Sequence, residues 1–145
     1  MESLCSRVAG KRKHVIVVAN GGLFSAAELR QLIKRPVILV LLRDSGRLAS
    51  ILSLLAPSLH TIPLGSVAEF STYMHENIGR LAPKEMAKEF LEKDFGLDPY
   101  EESGERRKLY RELLMSIIAC LIDNKIVVHT PSVAEFEHVL SSILL

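Results

Sequence analysis

Apolar runs that are followed by a turn and then by residues at helical spacing organise the first half of the chain. Residues 15–19 and 37–42 are apolar at nearly every position, which is typical of parallel strands covered by helices on both faces. The first run leads into Asn20-Gly21-Gly22 and a predicted helix over 25–35, and the second into Asp44-Ser45-Gly46-Arg47 and a predicted helix over 47–55.

The same alternation continues less strongly along the rest of the chain. Strands are predicted over 60–64 and 126–129, and further helices over 67–78, 83–95, 105–123 and 133–145. The segment 81–109, a charged helix and an exposed loop, is predicted to be an excursion from the sheet. The predicted fold class is therefore α/β, a mainly parallel sheet of about four strands with helices on both faces.

A short pattern, Ser-x-x-Glu before an apolar residue, occurs three times. It begins at Ser25, Ser66 and Ser132. In a capping box the serine accepts a hydrogen bond from the N–H three residues later, and the glutamate reaches back to the serine N–H. We interpret the repeat as three helix starts; duplicated binding loops are the alternative.

Length, charge and cysteine usage narrow the class of protein. A chain of 145 residues with 48% hydrophobic residues can fill the core of one domain. The net charge of +1 gives no field that would favour nucleic acid as a partner. Cys5 and Cys120 form no disulfide framework, which favours the cytosol. The apolar runs are too short for membrane insertion, and the start lacks a signal-peptide pattern.

The candidate chemistry lies in the two turns. Carboxyl ends of parallel strands and helix N-termini attract anions, so the sequence predicts a phosphate or nucleotide site there. Arg47 could bind a phosphate or pair with Asp44 as a surface arginine. Gly21 and Gly22 could admit a ligand or only form a turn. Ser45 is expected to cap the following helix, with donation to a phosphate as the alternative.

Other polar residues are given no catalytic or metal-binding role. The five histidines lack ligand spacing, so no metal is expected. Glu28 and Glu69 are interpreted as helix caps rather than general bases, and no catalytic residue is assigned. The residues expected to form a solvated loop and helix face are Tyr100, Glu101, Glu102, Arg106, Arg107 and Tyr110.

The two turns also carry a family resemblance. Asn20-Gly21-Gly22, a helix, and an apolar strand ending in Ser45-Gly46-Arg47 before Leu-Ala-x-Ile-Leu resemble the carboxyl-terminal half of the SLOG or LSDAT domain. That domain forms the amino-terminal cytosolic region of melastatin-type transient receptor potential (TRPM) channels and occurs in prokaryotic relatives. The resemblance implies a Rossmann-like sheet that binds nucleotide derivatives related to ADP-ribose or NAD.

The chain departs from the family pattern at Asp44, where the family's Gly-Ser-Gly-Arg turn has its first glycine. A carboxylate there is expected to oppose a phosphate. The amino-terminal strands of a complete domain are not in the sequence, so residues 1–145 are expected to be one α/β domain forming part of a larger nucleotide-binding domain.

Two functional classes follow from the resemblance. The first is a regulatory module that binds an adenine nucleotide derivative such as ADP-ribose, with no separate cofactor, as the cytosolic sensor of a larger channel-like protein or of a homo-oligomer. The second is a small enzyme that hydrolyses a nucleoside phosphate or NAD derivative, for which Asp44 and Glu28 are the available carboxylates. A structural module with a degenerate site is a third possibility.

Overall fold

The computed structural model of the protein describes residues 3–9, 13–81 and 104–144. The strands are β1 (Ser3–Ala9), β2 (Lys13–Ala19), β3 (Val37–Leu41) and β4 (Val127–His129). The helices are α1 (Leu23–Leu32), α2 (Arg47–Leu55), α3 (Val67–Leu81), α4 (Gly104–Asp123) and α5 (Phe136–Leu144), with a 3₁₀ helix over Ala56–Thr61.

The strands form one sheet in the order β1-β2-β3-β4. β2 and β3 are parallel, with Val18 opposite Leu41, and β3 and β4 are parallel, with Val40 opposite His129. These three strands end at the same edge of the sheet, so the segments after Ala19, Leu41 and His129 are neighbours there.

β2 and β3 have buried residues on both of their faces, as their uninterrupted apolar sequences predict. On one face Ile16, Val18, Leu39 and Leu41 belong to the main core together with residues of α1, α2, α3 and α4. On the other face Val15 and Val40 form a smaller cluster against α5, where Phe136, Leu140 and Ile143 are partly buried. The predicted α/β fold with helices on both faces of a mainly parallel sheet is therefore confirmed.

The predicted strand over 60–64 is wrong. The chain continues from α2 directly into the 3₁₀ helix, with Pro57 in its first turn, a position where proline loses no hydrogen bond. Ile62 then has extended φ and ψ angles and is buried. This isolated apolar side chain fills the core without strand pairing, and the alternating pattern around it resembled a short strand.

An antiparallel strand that the sequence did not predict precedes the first parallel strand. β1 pairs with β2 from Ser3 opposite Ala19 to Ala9 opposite Lys13. Its sequence, Ser-Leu-Cys-Ser-Arg-Val-Ala, has no apolar run. Pairing with the edge of β2 supplies the backbone hydrogen bonds that local pattern alone does not predict.

The buried stripe of α4 differs from the predicted one. The apolar spacing of this helix predicts a buried stripe that includes Leu109, Leu113, Ile117 and Leu121. Instead, Leu109 is 47% exposed, while Tyr110 and Leu114 are fully buried. Tyr110 was predicted to be solvated, and this prediction is wrong. Tyr110, and not its neighbour Leu109, lies on the face of α4 that packs against the core. Ile117 and Leu121 are buried as expected.

Two of the three predicted capping boxes lie at helix starts. Ser66 accepts a hydrogen bond from Glu69 N at 3.1 Å before α3. Ser132 and Glu135 satisfy each other's backbone N–H groups at 3.2 and 3.3 Å just before α5. Ser25 is instead a buried residue inside α1, because that helix begins two residues earlier than predicted.

Several predictions lie outside the described residues. These are the helix over 83–95 and most of the loop that follows it, including residues 100–102. Of the helices that the structure describes, none combines the length and apolar character that crossing a bilayer requires.

The two faces of the sheet give a test of the core. Leu39 is fully buried on the main face, whereas its neighbour Ile38 is only partly buried on the α5 face. Leu39→Ala should lower the free energy of unfolding by about 2–5 kcal/mol, because it opens a cavity in a closely packed site. Ile38→Ala is the matched control and should lose clearly less. Urea unfolding measures both, and equal losses would contradict this account of the two faces.

Candidate functional site

The two predicted turns lie side by side at the carboxyl edge of the sheet. Asn20 N–H donates to Ser45 Oγ at 2.7 Å, and Asn20 Nδ2 donates to the Ser45 carbonyl at 3.0 Å. Ser45 Oγ in turn donates to the Leu42 carbonyl at 2.7 Å. All seven predicted site residues, Asn20, Gly21, Gly22, Asp44, Ser45, Gly46 and Arg47, are therefore in two turns held together by these bonds.

The role expected of Ser45 as a helix cap is wrong. The N-cap of α2 is Gly46, without a side-chain cap, while the Ser45 hydroxyl is occupied by Asn20 and Leu42. Ser50 Oγ accepts from Gly46 N–H at 2.7 Å and donates to the Arg43 carbonyl at 2.7 Å. Ser50, in the first turn of α2, thus holds the loop, instead of the predicted cap Ser45.

The N-terminus of α2 is used by the other turn rather than left for an anion. Leu48 N–H donates to the Gly21 carbonyl at 3.1 Å and Ala49 N–H to the Asn20 carbonyl at 3.0 Å. These are among the N–H groups that a helix start leaves without a partner in the helix. The carbonyl groups of the first turn satisfy them, so α2 is joined to the end of β2.

α1 has a different start. Its N-cap is Gly22, and within the described part of the chain no side chain caps it and no acidic residue lies in its first turn. A Cβ atom at position 22 would collide with the Arg47 guanidinium. The arginine of the second turn therefore lies directly on the backbone at the N-cap of α1, the positive end of that helix dipole.

Four residues of these turns have left-handed backbone angles. The φ angles are +61° at Asn20, +109° at Gly21, +99° at Gly46 and +48° at Arg47. Asparagine and glycine tolerate this region, whereas a long side chain rarely adopts it. The conformation of Arg47 is thus unusual, and it occurs at the residue whose guanidinium reaches the first turn.

Asp44 faces the segment after β4. Its carboxylate Oδ1 accepts a hydrogen bond from Val133 N–H at 2.9 Å, and the residue is exposed. The pattern did not predict this contact because the two residues are far apart in the chain. The Asp44 carboxylate therefore has a structural partner at this edge.

Arg43, which the sequence analysis did not single out, joins the third loop to the site. Its backbone N–H donates to the Pro131 carbonyl at 3.1 Å, Nη1 donates to the Thr130 carbonyl at 2.9 Å, and Nη2 contacts Glu135 Oε1 at 2.8 Å. Its position directly after a buried strand and beside Asp44 was the only available signal. The loops after β2, β3 and β4 form one connected network.

Phe24 is a second residue that the sequence analysis passed over. It is the second residue of α1 and is 76% exposed. The available signal in the sequence was that this apolar residue falls on the polar face of the helix. Glu28 lies on the exposed side of the same helix, one turn further from Gly22.

Two surface grooves lie away from these turns. One, of about 460 Å³, runs along α3 beside Pro63 and Tyr73. The other, of about 390 Å³, lies between the 3₁₀ helix and the end of α4, beside His60 and Lys125. Among the residues that the structure describes, His, Cys, Asp and Glu form no cluster that could hold a metal ion.

The conformation of Gly46 gives a stability prediction. With φ of +99° and ψ of 170°, Gly46 lies in a region that is essentially restricted to glycine, so Gly46→Ala should destabilise by about 1–3 kcal/mol. Gly79→Ala is the control, since nothing lies near a Cβ atom there and a helical Gly→Ala change should stabilise by about 0.5–1 kcal/mol. Thermal unfolding measures both, and an unchanged melting temperature for Gly46→Ala would show that the turn does not need glycine.

The Glu135 contacts give a pH prediction. Hydrogen bonds from the Ser132 side chain and backbone, and then the Arg43 guanidinium, lower the pKa of the Glu135 carboxyl below its ordinary value. Its contribution to stability is present above the pKa of the unfolded state and is lost as the pH falls through the lower folded-state pKa. The stability gap between the wild type and Glu135→Gln, measured by urea unfolding, should shrink in acid. A gap independent of pH would contradict this.

Comparisons with protein-family models, with curated proteins and with solved structures find no match to this chain. The resemblance given by the residues of the two turns accordingly remains an expectation.

Proposed function

We propose that the chain binds a nucleotide derivative of the ADP-ribose or NAD class at the carboxyl edge of its sheet and acts as a regulatory module of a larger protein. The observation that carries the proposal is the position of the Arg47 guanidinium on Gly22, at the uncapped start of α1. A guanidinium and a helix N-terminus directed at one place favour a phosphate more than either does alone.

The neighbouring contacts support a preformed site. The Asn20–Ser45 hydrogen bonds hold the two turns in register, and the N–H groups at the start of α2 already have carbonyl partners. The phosphates are therefore proposed to bind at Gly22 and the first turn of α1, beside Arg47, rather than on α2. Asn20, Gly21, Ser45 and Gly46 shape this site through their backbones and through hydrogen bonds.

Asp44 has a supporting role in this proposal. Its carboxylate accepts from Val133 N–H, which directs one oxygen toward the third loop rather than toward Gly22. The repulsion expected from the sequence is weaker for a charge that is exposed to water and turned toward a donor. The same contact gives Asp44 a structural role, which the alternative of a hydrolytic carboxylate does not require.

A titration of the chain with ADP-ribose, NAD and AMP tests the proposal. Arg47→Ala should weaken binding by about 1–3 kcal/mol, the contribution of a charged hydrogen-bonding partner. Isothermal calorimetry with ligand up to millimolar concentration measures this. Arg35→Ala is the matched control, because it removes the same charge from an exposed residue just before β3, at the opposite edge of the sheet.

The contrary results are equally specific. If no ligand gives a heat of binding, or if Arg47→Ala and wild type bind equally, the two turns are a structural device and the structural-module alternative is correct. An equal loss in Arg35→Ala and Arg47→Ala would indicate attraction by overall charge alone. If chromatography shows that the chain hydrolyses a bound ligand and releases ribose or phosphate, the alternative function, a small hydrolytic enzyme, is favoured.

A further inference from the structure

We propose that Phe24 is the stacking residue for the purine base of the nucleotide derivative whose phosphates bind beside Arg47. The inference rests on the proposed function and adds the part of the ligand that the phosphate site leaves unassigned. Its starting point is an aromatic ring in water at the edge of the sheet where the two turns meet.

The exposure of Phe24 is unusual within this protein. At 76% it is the most exposed of the large apolar side chains in the described residues. The other residues on the same side of α1, Ala27, Glu28 and Gln31, are exposed too, so Phe24 does not belong to the helix face that packs on the sheet. Core packing therefore gives no reason for a phenylalanine here.

Phe24 also lies in the same first turn of α1 as the proposed phosphate site. It lies two residues after Gly22, against which the Arg47 guanidinium packs. Side chains of an α-helix lean toward its N-terminus, which at α1 is the carboxyl edge of the sheet. The ring therefore leans toward the carboxyl edge of the sheet, where the two turns lie, and not along the helix toward Leu32.

A purine suits this arrangement better than the other parts of a nucleotide. Phosphates are recognised by the guanidinium and by backbone N–H groups, whereas a phenyl ring offers neither charge nor hydrogen bonds. A base has a flat face that stacks on an aromatic ring, whatever hydrogen-bonding groups the base carries at its edges. A ligand that joins a purine to phosphates would engage Phe24 and Arg47 together.

The absence of tryptophan from the sequence allows a direct optical test. In Phe24→Trp the single indole should be quenched on addition of AMP or ADP-ribose, because a stacked purine quenches it, and ribose 5-phosphate should leave it unchanged. Val127→Trp is the control. Val127 is 54% exposed at the amino end of β4, the opposite edge of the sheet, and its indole should respond to neither ligand.

Calorimetry separates this inference from the proposed function. Phe24→Ala should weaken the binding of AMP and ADP-ribose by about tenfold, the effect of losing one stacking contact. It should leave the binding of ribose 5-phosphate unchanged, whereas Arg47→Ala should weaken the binding of all three ligands. If Phe24→Ala affects all ligands equally or none, while Arg47→Ala still weakens them, the stacking role is wrong and the phosphate site stands. If the wild type binds none of the three ligands, both proposals fail.

Discussion

The pair of hydrogen bonds between Asn20 and Ser45 is the constraint on which the carboxyl edge of the sheet depends. Parallel strands leave their following loops unpaired, and in this protein a backbone N–H and a side-chain amide of Asn20 connect the loop after β2 to the loop after β3. Asn20 can do both because its φ angle of +61° turns the chain back toward Ser45. Asparagine is among the few residues that tolerate this conformation.

The Asn20–Ser45 hydrogen bonds also decide how the starts of α1 and α2 differ. Once Asn20 is fixed, its carbonyl and that of Gly21 lie where they accept from Ala49 and Leu48. The positive end of α2 is thereby satisfied by the protein itself. α1 keeps its uncapped N-terminus, and the side chain of the first residue of α2 crosses to it. The two helix starts, which look equivalent in the sequence, have different surroundings.

The same loop also connects the candidate site to the opposite face of the sheet. Asn20 holds Ser45, and the two preceding residues, Arg43 and Asp44, bond to Glu135 and Val133 just before α5. α5 covers the second face through Phe136 and Leu140. The turn before α2 is therefore in direct contact with the segment that leads into the helix on the other face of the sheet.

The sequence predicted those parts of the fold that depend on local pattern. β2 and β3 were predicted from apolar runs, and the breaks before α1 and α2 from their turn residues. β1 was missed because its pairing with β2 is a long-range property. The end of the 3₁₀ helix and the unpaired segment after it, residues 60–64, were mistaken for a strand because the buried side chain of Ile62 stands in an alternating pattern.

The candidate site was predictable in the same uneven way. The positions of both turns, each between a strand and a helix, were predicted from their residues. Gly46 has the positive φ angle that a sharp strand-to-helix turn implies. The roles of Ser45 and Asp44 did not follow, because their partners lie 25 and 89 residues away. A hydroxyl or a carboxylate near a helix start has several possible partners, and only tertiary structure chooses among them.

The unusual backbone of Arg47 fits into this order of constraints. A non-glycine residue at φ of +48° carries a conformational cost of about 1–3 kcal/mol, which surrounding contacts must offset. Those contacts follow at once along the chain, where Leu48 and Ala49 bond to the first turn and Leu48 is fully buried. The start of α2 is therefore held from its buried side, and this fixes the direction in which Arg47 leaves the backbone. Because Gly22 has no side chain, the guanidinium can then lie against the first turn, and the glycine and the arginine depend on one another.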